Sequence, residues 1–161
     1  MATVQLRDIV TDEDRAAAVA LRVAPGQEQF VASVQTSLDE AQLYPEARAR
    51  YWAVYDGPEI VGFTMLSDGI PAAVLAEDPT LVGPYFLWRL LIDERYQRRG
   101  YGTATLDAVV AYVRAQPDGT HLLTSYSEGD GNPRPFYEGY GFVATDRVVE
   151  GERVLRLDLR T

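Results

Sequence analysis

Leu90-Leu91-Ile92-Asp93-Glu94-Arg95-Tyr96-Gln97-Arg98-Arg99-Gly100-Tyr101-Gly102-Thr103 sets an apolar run against a polar, glycine-containing loop, and a helical pattern follows at once. A strand that feeds such a loop and then a helix N-terminus builds an anion site. Gln97 to Thr103 supplies consecutive backbone N–H groups, Gly100 and Gly102 let a ligand approach the main chain, Arg98 and Arg99 are fixed positive charges, and the helix adds the positive end of its dipole. Two rival readings fail on residue type. A dinucleotide fingerprint needs a third small residue at 105, where this chain has Thr, and a phosphate-binding P-loop needs a Lys. All 15 basic residues here are Arg, suited to clamp phosphate rather than to act as a base.

A second segment, Asn132-Pro133-Arg134-Pro135-Phe136-Tyr137-Glu138-Gly139-Tyr140-Gly141-Phe142, reads as a short helix. Asn132 is expected to cap it, Pro133 to take its first position and Gly141 to end it in the left-handed conformation.

Taken together, Gln97-Arg98-Arg99-Gly100-Tyr101-Gly102 resembles the acetyl-CoA pyrophosphate loop, Q/R-x-x-G-x-G/A, of the GNAT superfamily of N-acetyltransferases. The second segment resembles that family's N-x-x-A-x-x-F/L-Y-x-x-x-G-F signature, displaced by about a residue and carrying Pro135 where a small residue is usual. The resemblance covers most of the chain. It implies a mixed α/β fold, with a central, mostly antiparallel sheet whose parallel strands splay apart between flanking helices, and acetyl-CoA as cosubstrate.

The pattern along the chain agrees. Val4 to Arg7 alternates as a strand, and Thr11-Asp12-Glu13-Asp14 starts a short helix whose acids suit the dipole. Residues 27 to 50 are moderately helical, with Ser37-Leu38-Asp39-Glu40 resembling a capping box. Tyr51 to Tyr55 and Ile60 to Leu66 form a hairpin about Asp56-Gly57-Pro58-Glu59, and residues 67 to 84, with Asp68-Gly69 and three prolines, read as a loop. Tyr85 to Ile92 is a central strand with Arg89 as its only charge. Leu106, Val109, Val110 and Val113 mark a helix that stops before Pro117-Asp118-Gly119, and Leu122 to Tyr126 is a strand. Phe142 to Val149 and Glu152 to Leu159 close a hairpin about Glu150-Gly151, with Leu155, Leu157 and Leu159 inward and Arg156 and Asp158 outward. Residues 1–161 are expected to form one domain with one core.

Composition narrows the chemistry. The chain has no cysteine, which excludes disulfides, thiolate metal sites and an acetyl-cysteine intermediate, so acetyl should pass directly between two bound substrates; no metal is expected. Neither a leader pattern nor an apolar run approaching a membrane helix is present, and a cytoplasmic protein is expected. A net charge of −9 argues against nucleic acid and favours a cationic small substrate, although acidity also serves solubility.

Carried over residue by residue, the resemblance lays Leu90, Leu91 and Ile92 along the acetyl and pantetheine portions of the cosubstrate, with an N–H near Leu90 polarising the thioester carbonyl. It puts the phosphates on Gln97, Arg98, Arg99, Gly100, Tyr101, Gly102 and Thr103, and brings Asn132 to the pantetheine arm. It makes Tyr137 the acid for the departing thiolate, for which a phenol protonated at neutral pH is suited. The general base stays open. His121, the only histidine, stands just before a strand in a surface or capping position; the central-strand position where some relatives carry Glu is Phe86; Glu94, Glu128 and a water chain are unassigned alternatives. Gln27-Glu28-Gln29-Phe30-Val31, Ser37-Leu38-Asp39-Glu40-Ala41 and Glu150-Gly151-Glu152-Arg153-Val154 more loosely resemble the bacterial diamine and spermine/spermidine acetyltransferases within the family. A diamine or polyamine acceptor would need carboxylates, for which Glu28, Asp39 and Glu40 are candidates, each also readable as a solvated helix face. An aminoglycoside or protein N-terminus as acceptor, and a non-catalytic acetyl-CoA sensor, stand as alternatives. The resemblance allows a homodimer, as in many relatives.

Overall fold

The computed structural model describes residues 2–160. Gly57, at φ +57°, turns the chain between β2 (Ala49–Asp56) and β3 (Glu59–Asp68), and β1 (Gln5–Arg7) pairs along the outer edge of β2. After β4 (Tyr85–Ile92), α4 (Tyr101–Arg114) crosses back to β5 (His121–Tyr126). Then α5 (Arg134–Tyr140) leads into the terminal hairpin of β6 (Val143–Val149) and β7 (Glu152–Asp158). The result is one seven-stranded sheet in the order β1-β2-β3-β4-β5-β7-β6, in which β4 and β5 alone run parallel. A strand–helix–strand crossover is what a parallel neighbour requires.

Each sheet face buries a different layer. The stripe Leu106, Val109, Val110 and Val113 turns α4 onto Trp52, Leu66, Leu87, Leu122 and Leu155. On the opposite face α1 (Asp12–Val19) and α2 (Val34–Leu43) place Ala18, Val34 and Leu38 against Phe63, Met65 and Leu91. Farther along that face, Val82, Leu123 and Val154 form a small third cluster. Burial of each large side chain contributes about 1.5–3 kcal/mol. No helix among the described residues is long and apolar enough to cross a membrane.

Several boundaries differ from the sequence reading. Thr11 does build the expected capping box with Asp14, but Ser37 does not start a helix. The cap is Ser33, whose side chain accepts from Thr36 N, and Ser37 lies inside α2 with its hydroxyl donating to Ser33 O at 2.8 Å. Residues 67 to 84 are not all loop: β3 runs to Asp68, and α3 (Ala72–Glu77) forms from Ala-Ala-Val-Leu-Ala-Glu behind Pro71. Here the prolines bracket a run of helix formers instead of breaking it. Pro133 rather than Asn132 caps α5, yet Asn132 Oδ1 still accepts from Arg134 N at 2.9 Å, and Gly141 ends the helix at φ +131°.

Candidate active site

β4 and β5 pair through only two positions, Phe86 with Leu123 and Leu87 with Thr124. At that point β4 bulges. Leu66 of β3 faces Leu87 and Met65 faces Arg89, so Trp88 is an extra residue without a partner across the strand. A bulge bends its strand and reverses the alternation of side chains beyond it. Leu87 accordingly packs under α4, whereas Leu91, four residues on, packs under α1 and α2. The bent strand leaves β5, and a slot opens between them.

That slot is a cavity of about 690 Å³, of the size that holds an organic cofactor. Leu87 to Ile92 form one wall. Thr124 and Ser125 line the other, and because adjacent strand residues point to opposite faces, the slot passes through the sheet.

At one end of the slot Asp93 fixes the start of the loop. Its buried carboxylate accepts from Arg22 N at 2.9 Å, from Arg95 N at 3.0 Å and from Arg95 Nε at 2.8 Å. Burial alone would raise this carboxyl, but those bonds outweigh it and hold it below the usual carboxylate range. A single turn, Glu94–Tyr96, then sends the chain through Arg98 at φ +63° to Gly100 at φ +86°. Gly100 stands at the N-cap of α4, where no side chain caps the helix. The first N–H groups of a fourteen-residue helix therefore point to the slot with the dipole behind them. Gln97, Arg98, Gly100, Tyr101, Gly102 and Thr103 all line the cavity. Arg99 does not; its guanidinium lies over the Tyr96 ring, 5.8 Å from the centroid.

Tyr137, carried by α5, is buried and faces the slot beside Phe136. Burial pushes its hydroxyl up to about 12, the Thr124 hydroxyl works against that rise, and the Glu152 carboxylate adds to it. Asn132 is turned away: Nδ2 donates to Gly129 O at 2.8 Å and Oδ1 takes the Arg134 amide, so its side chain folds the approach to α5.

Across the sheet lies a second chamber of about 350 Å³, which shares Trp88, Arg89, Ser125 and Glu152 with the slot. Glu40, Glu46, Glu150 and Glu152 line it, against one guanidinium, Arg89. Arg89 is held by Glu40 at 2.5 Å and Ser37 Oγ at 3.1 Å. Of the three early carboxylates, only Glu40 reaches the chamber. Glu28 is exposed and accepts from Gly26 N, and Asp39 is exposed and accepts from Gln35. Neither cavity includes His121, Glu94 or Glu128 in its lining. His121 starts β5 beside Thr120, 3.1 Å away, and burial lowers its pKa; Glu128 accepts from Tyr126.

Four further residues bound the slot; Gln27, Phe30 and Glu152 lie in stretches that carry only a loose resemblance in the sequence, and Ser125 lies in none. Gln27 exchanges amide hydrogen bonds with Gln97 at 3.2 and 2.7 Å, and Phe30 crosses the slot to Gly129 and Gly131. Residues 27 to 30 thus form a strap over it. Ser125 and Glu152, the third and fourth, are bonded to each other at 2.8 Å.

A sheet split at a bulge, with an uncapped helix N-terminus at the head of the split, is the architecture of acyl-CoA-binding transferases. Residues 6–142 match the model of the acetyltransferase (GNAT) family, and the chain belongs to that family. It is 27% identical over 154 residues to the spermine/spermidine N(1)-acetyltransferase of Bacillus subtilis (strain 168), covering 93% of this chain and 95% of that one. The probable spermine N(1)-acetyltransferase of Bacillus subtilis subsp. natto (strain BEST195) is 25% identical over the same shares. Among solved structures, the aminoglycoside acetyltransferase AAC(6')-Ib in complex with coenzyme A superposes with a TM-score of 0.71 at 17% identity, over 97% of this chain and 95% of that one. A putative GNAT acetyltransferase from Desulfovibrio desulfuricans gives 0.67 at 22%, over 98% and 100%. These structures share the fold. The protein is an acetyl-CoA-dependent N-acetyltransferase acting on an amine.

Proposed function

We propose that the protein transfers acetyl directly from acetyl-CoA to a primary amine of a diamine or polyamine. The observation that carries this reading is the second chamber, whose four carboxylates outnumber its one cation and which opens into the slot at Ser125 and Glu152. A chain of ammonium groups matches such a lining, and the sequence similarity to curated spermine/spermidine acetyltransferases supports it.

In this reading the phosphates sit on the amides from Gln97 to Thr103, with Arg98 as the nearer clamp and Arg99 as a charge held over Tyr96. Leu90, Leu91 and Ile92 carry the pantetheine and acetyl portions, and the N–H near Leu90 polarises the carbonyl. Asn132 contributes by shaping the loop that borders the arm. Tyr137 gives its proton to the sulfur as the C–S bond breaks. Glu40 takes a distal ammonium, while Glu28 and Asp39 add only to the field around the entrance.

The test is thiol release from acetyl-CoA with spermidine, putrescine, an aminoglycoside and a simple monoamine. The reading requires the highest kcat/KM with the polyamines and a fall in that value as salt screens the chamber. A preference for the aminoglycoside or the monoamine would remove the polyamine assignment.

A further inference from the structure

We propose that Glu152 is the residue that receives the reacting ammonium group and takes a proton from it. The inference rests on the acceptor reading above and identifies the acid–base group of that same site.

Among the described residues, Glu152 holds a position that no other carboxylate shares. It is the only acid that lines both the slot and the chamber, so it stands where an amine entering from one face meets a thioester lying on the other. β4 offers nothing equivalent: between Tyr85 and Ile92 it carries no carboxylate, and Phe86, which also lines the chamber, is apolar. Alternation along β7 puts Glu152 on the same face as Val154, which packs with Leu123, while Leu155 turns under α4. Ser125 belongs to that face as well, and its hydroxyl donates to Glu152 Oε1 at 2.8 Å, holding the carboxylate toward the gap. One oxygen is thereby oriented, and the other is left for an N–H donor. Tyr137 approaches the gap from the α4 side, near enough for the Glu152 charge to act on its hydroxyl. The remaining charged groups around Glu152 are Arg89, which its carboxylate helps to keep protonated, Glu40 on that guanidinium, and Glu46 and Glu150 farther along the chamber wall.

The protons balance. The arriving ammonium gives one proton to Glu152, which passes it to solvent and leaves a neutral nitrogen with its lone pair. As the C–N bond forms and the C–S bond breaks, the nitrogen loses a second proton, and the sulfur gains one from Tyr137, which that second proton restores. Each transfer therefore yields one amide, one thiol and one proton.

The experiment measures thiol release by the full chain and its Glu152→Gln and Glu152→Asp variants. The same amine panel is used between about pH 7 and about pH 10, with acetyl-CoA affinity followed by calorimetry. Glu152→Gln is expected to lower kcat by about 10²-fold or more near neutrality, to leave acetyl-CoA affinity unchanged, and to recover as rising pH supplies the free amine. Glu152→Asp should retain part of the activity. An unchanged kcat, or a loss parallel to wild type across the pH range, overturns the assignment, as does lost acetyl-CoA affinity in both variants. Turnover of the monoamine alone would overturn the polyamine reading while leaving Glu152 to be judged on that acceptor. Turnover of none of the amines by the wild type would overturn both.

Discussion

Gln27 and Gln97 face each other with their carboxamides paired, each Nε2 within hydrogen-bonding reach of the other's Oε1, and Gln97 Nε2 also reaches Ile92 O at 2.9 Å. One residue belongs to the strap and the other to the loop proposed to bind phosphate, and both line the slot, so a ligand seated there is expected to part or pass beneath this pair. Gln27→Ala should remove about 1–2 kcal/mol of closure and speed coenzyme A release by about 5–30-fold. Stopped-flow dissociation checks it; a rate equal to wild type would mean that the strap does not gate the slot.

Arg98→Ala and Gly100→Val should each raise the acetyl-CoA KM more than the amine KM. In the proposed reading Arg98 would contribute a charge-assisted contact of about 1.5–3 kcal/mol to a phosphate. Gly100 stands at φ +86°, where a β-branched residue is strained whatever the space around it. Calorimetry with unchanged acetyl-CoA affinity in both variants would remove the loop from the binding site.

Tyr137→Phe keeps the buried ring and should lower kcat by about 10²-fold while sparing cofactor affinity. The pH profile gives a separate check. The acid form persists below the folded pKa, and burial has pushed that up to about 12. No alkaline loss from this residue is therefore expected up to about pH 10, where an ordinary tyrosine would be half ionised. A kcat that halves near that pH with the pKa of an unperturbed phenol would contradict this environment.

Asp93→Asn should cost about 1.5–3 kcal/mol, because a buried carboxylate loses its charge while Arg22 N and the Arg95 guanidinium remain to be satisfied. The sign with pH follows from a folded pKa below the unfolded one. The stabilisation is present above about pH 4 and is lost as pH falls through the folded value. Denaturant melts at neutral and acid pH should converge for wild type and variant at the acid end; a constant difference between them would show that the charge of Asp93 is not the source.

The loop from Gln97 to Thr103 is legible as a candidate anion site because its residues are contiguous: all but Arg99 line one cavity, as neighbours in the chain as well as in space. Strong periodic elements were legible too, as the stripe on α4 and the alternation of Leu155 and Leu157 show. Glu152 was not, because what distinguishes it is the approach of β7 to Ser125 and of both to a gap made by Trp88, and no local pattern records that meeting. The nearest signals are the loose resemblance of the stretch Glu150 to Val154 to polyamine acetyltransferases and the parity of Glu152 with Val154 at the mouth of a hairpin. The bulge is equally silent in sequence. Leu87 and Leu91 have the same parity in an apolar run, and only the extra residue between them sends them to opposite layers. Ser37 misled for a simpler reason: Ser33 offers the same cap one turn earlier, and Ser37 then satisfies its hydroxyl on Ser33 O.

Because the slot passes through the sheet, the two halves of the chemistry are inherited on different parts of the chain. In the proposed reading, the loop after β4 and the start of α4 would hold one reactant, whereas α2 and the β6–β7 turn, which wall the chamber, would hold the other. Mutations in Glu40, Glu46 or Glu150 can drift under selection for a new acceptor without disturbing the amides from Gln97 to Thr103. Descent within such a lineage would conserve the donor while diversifying the recipient, with Ser125 and Glu152, at the crossing, as the positions least free to change.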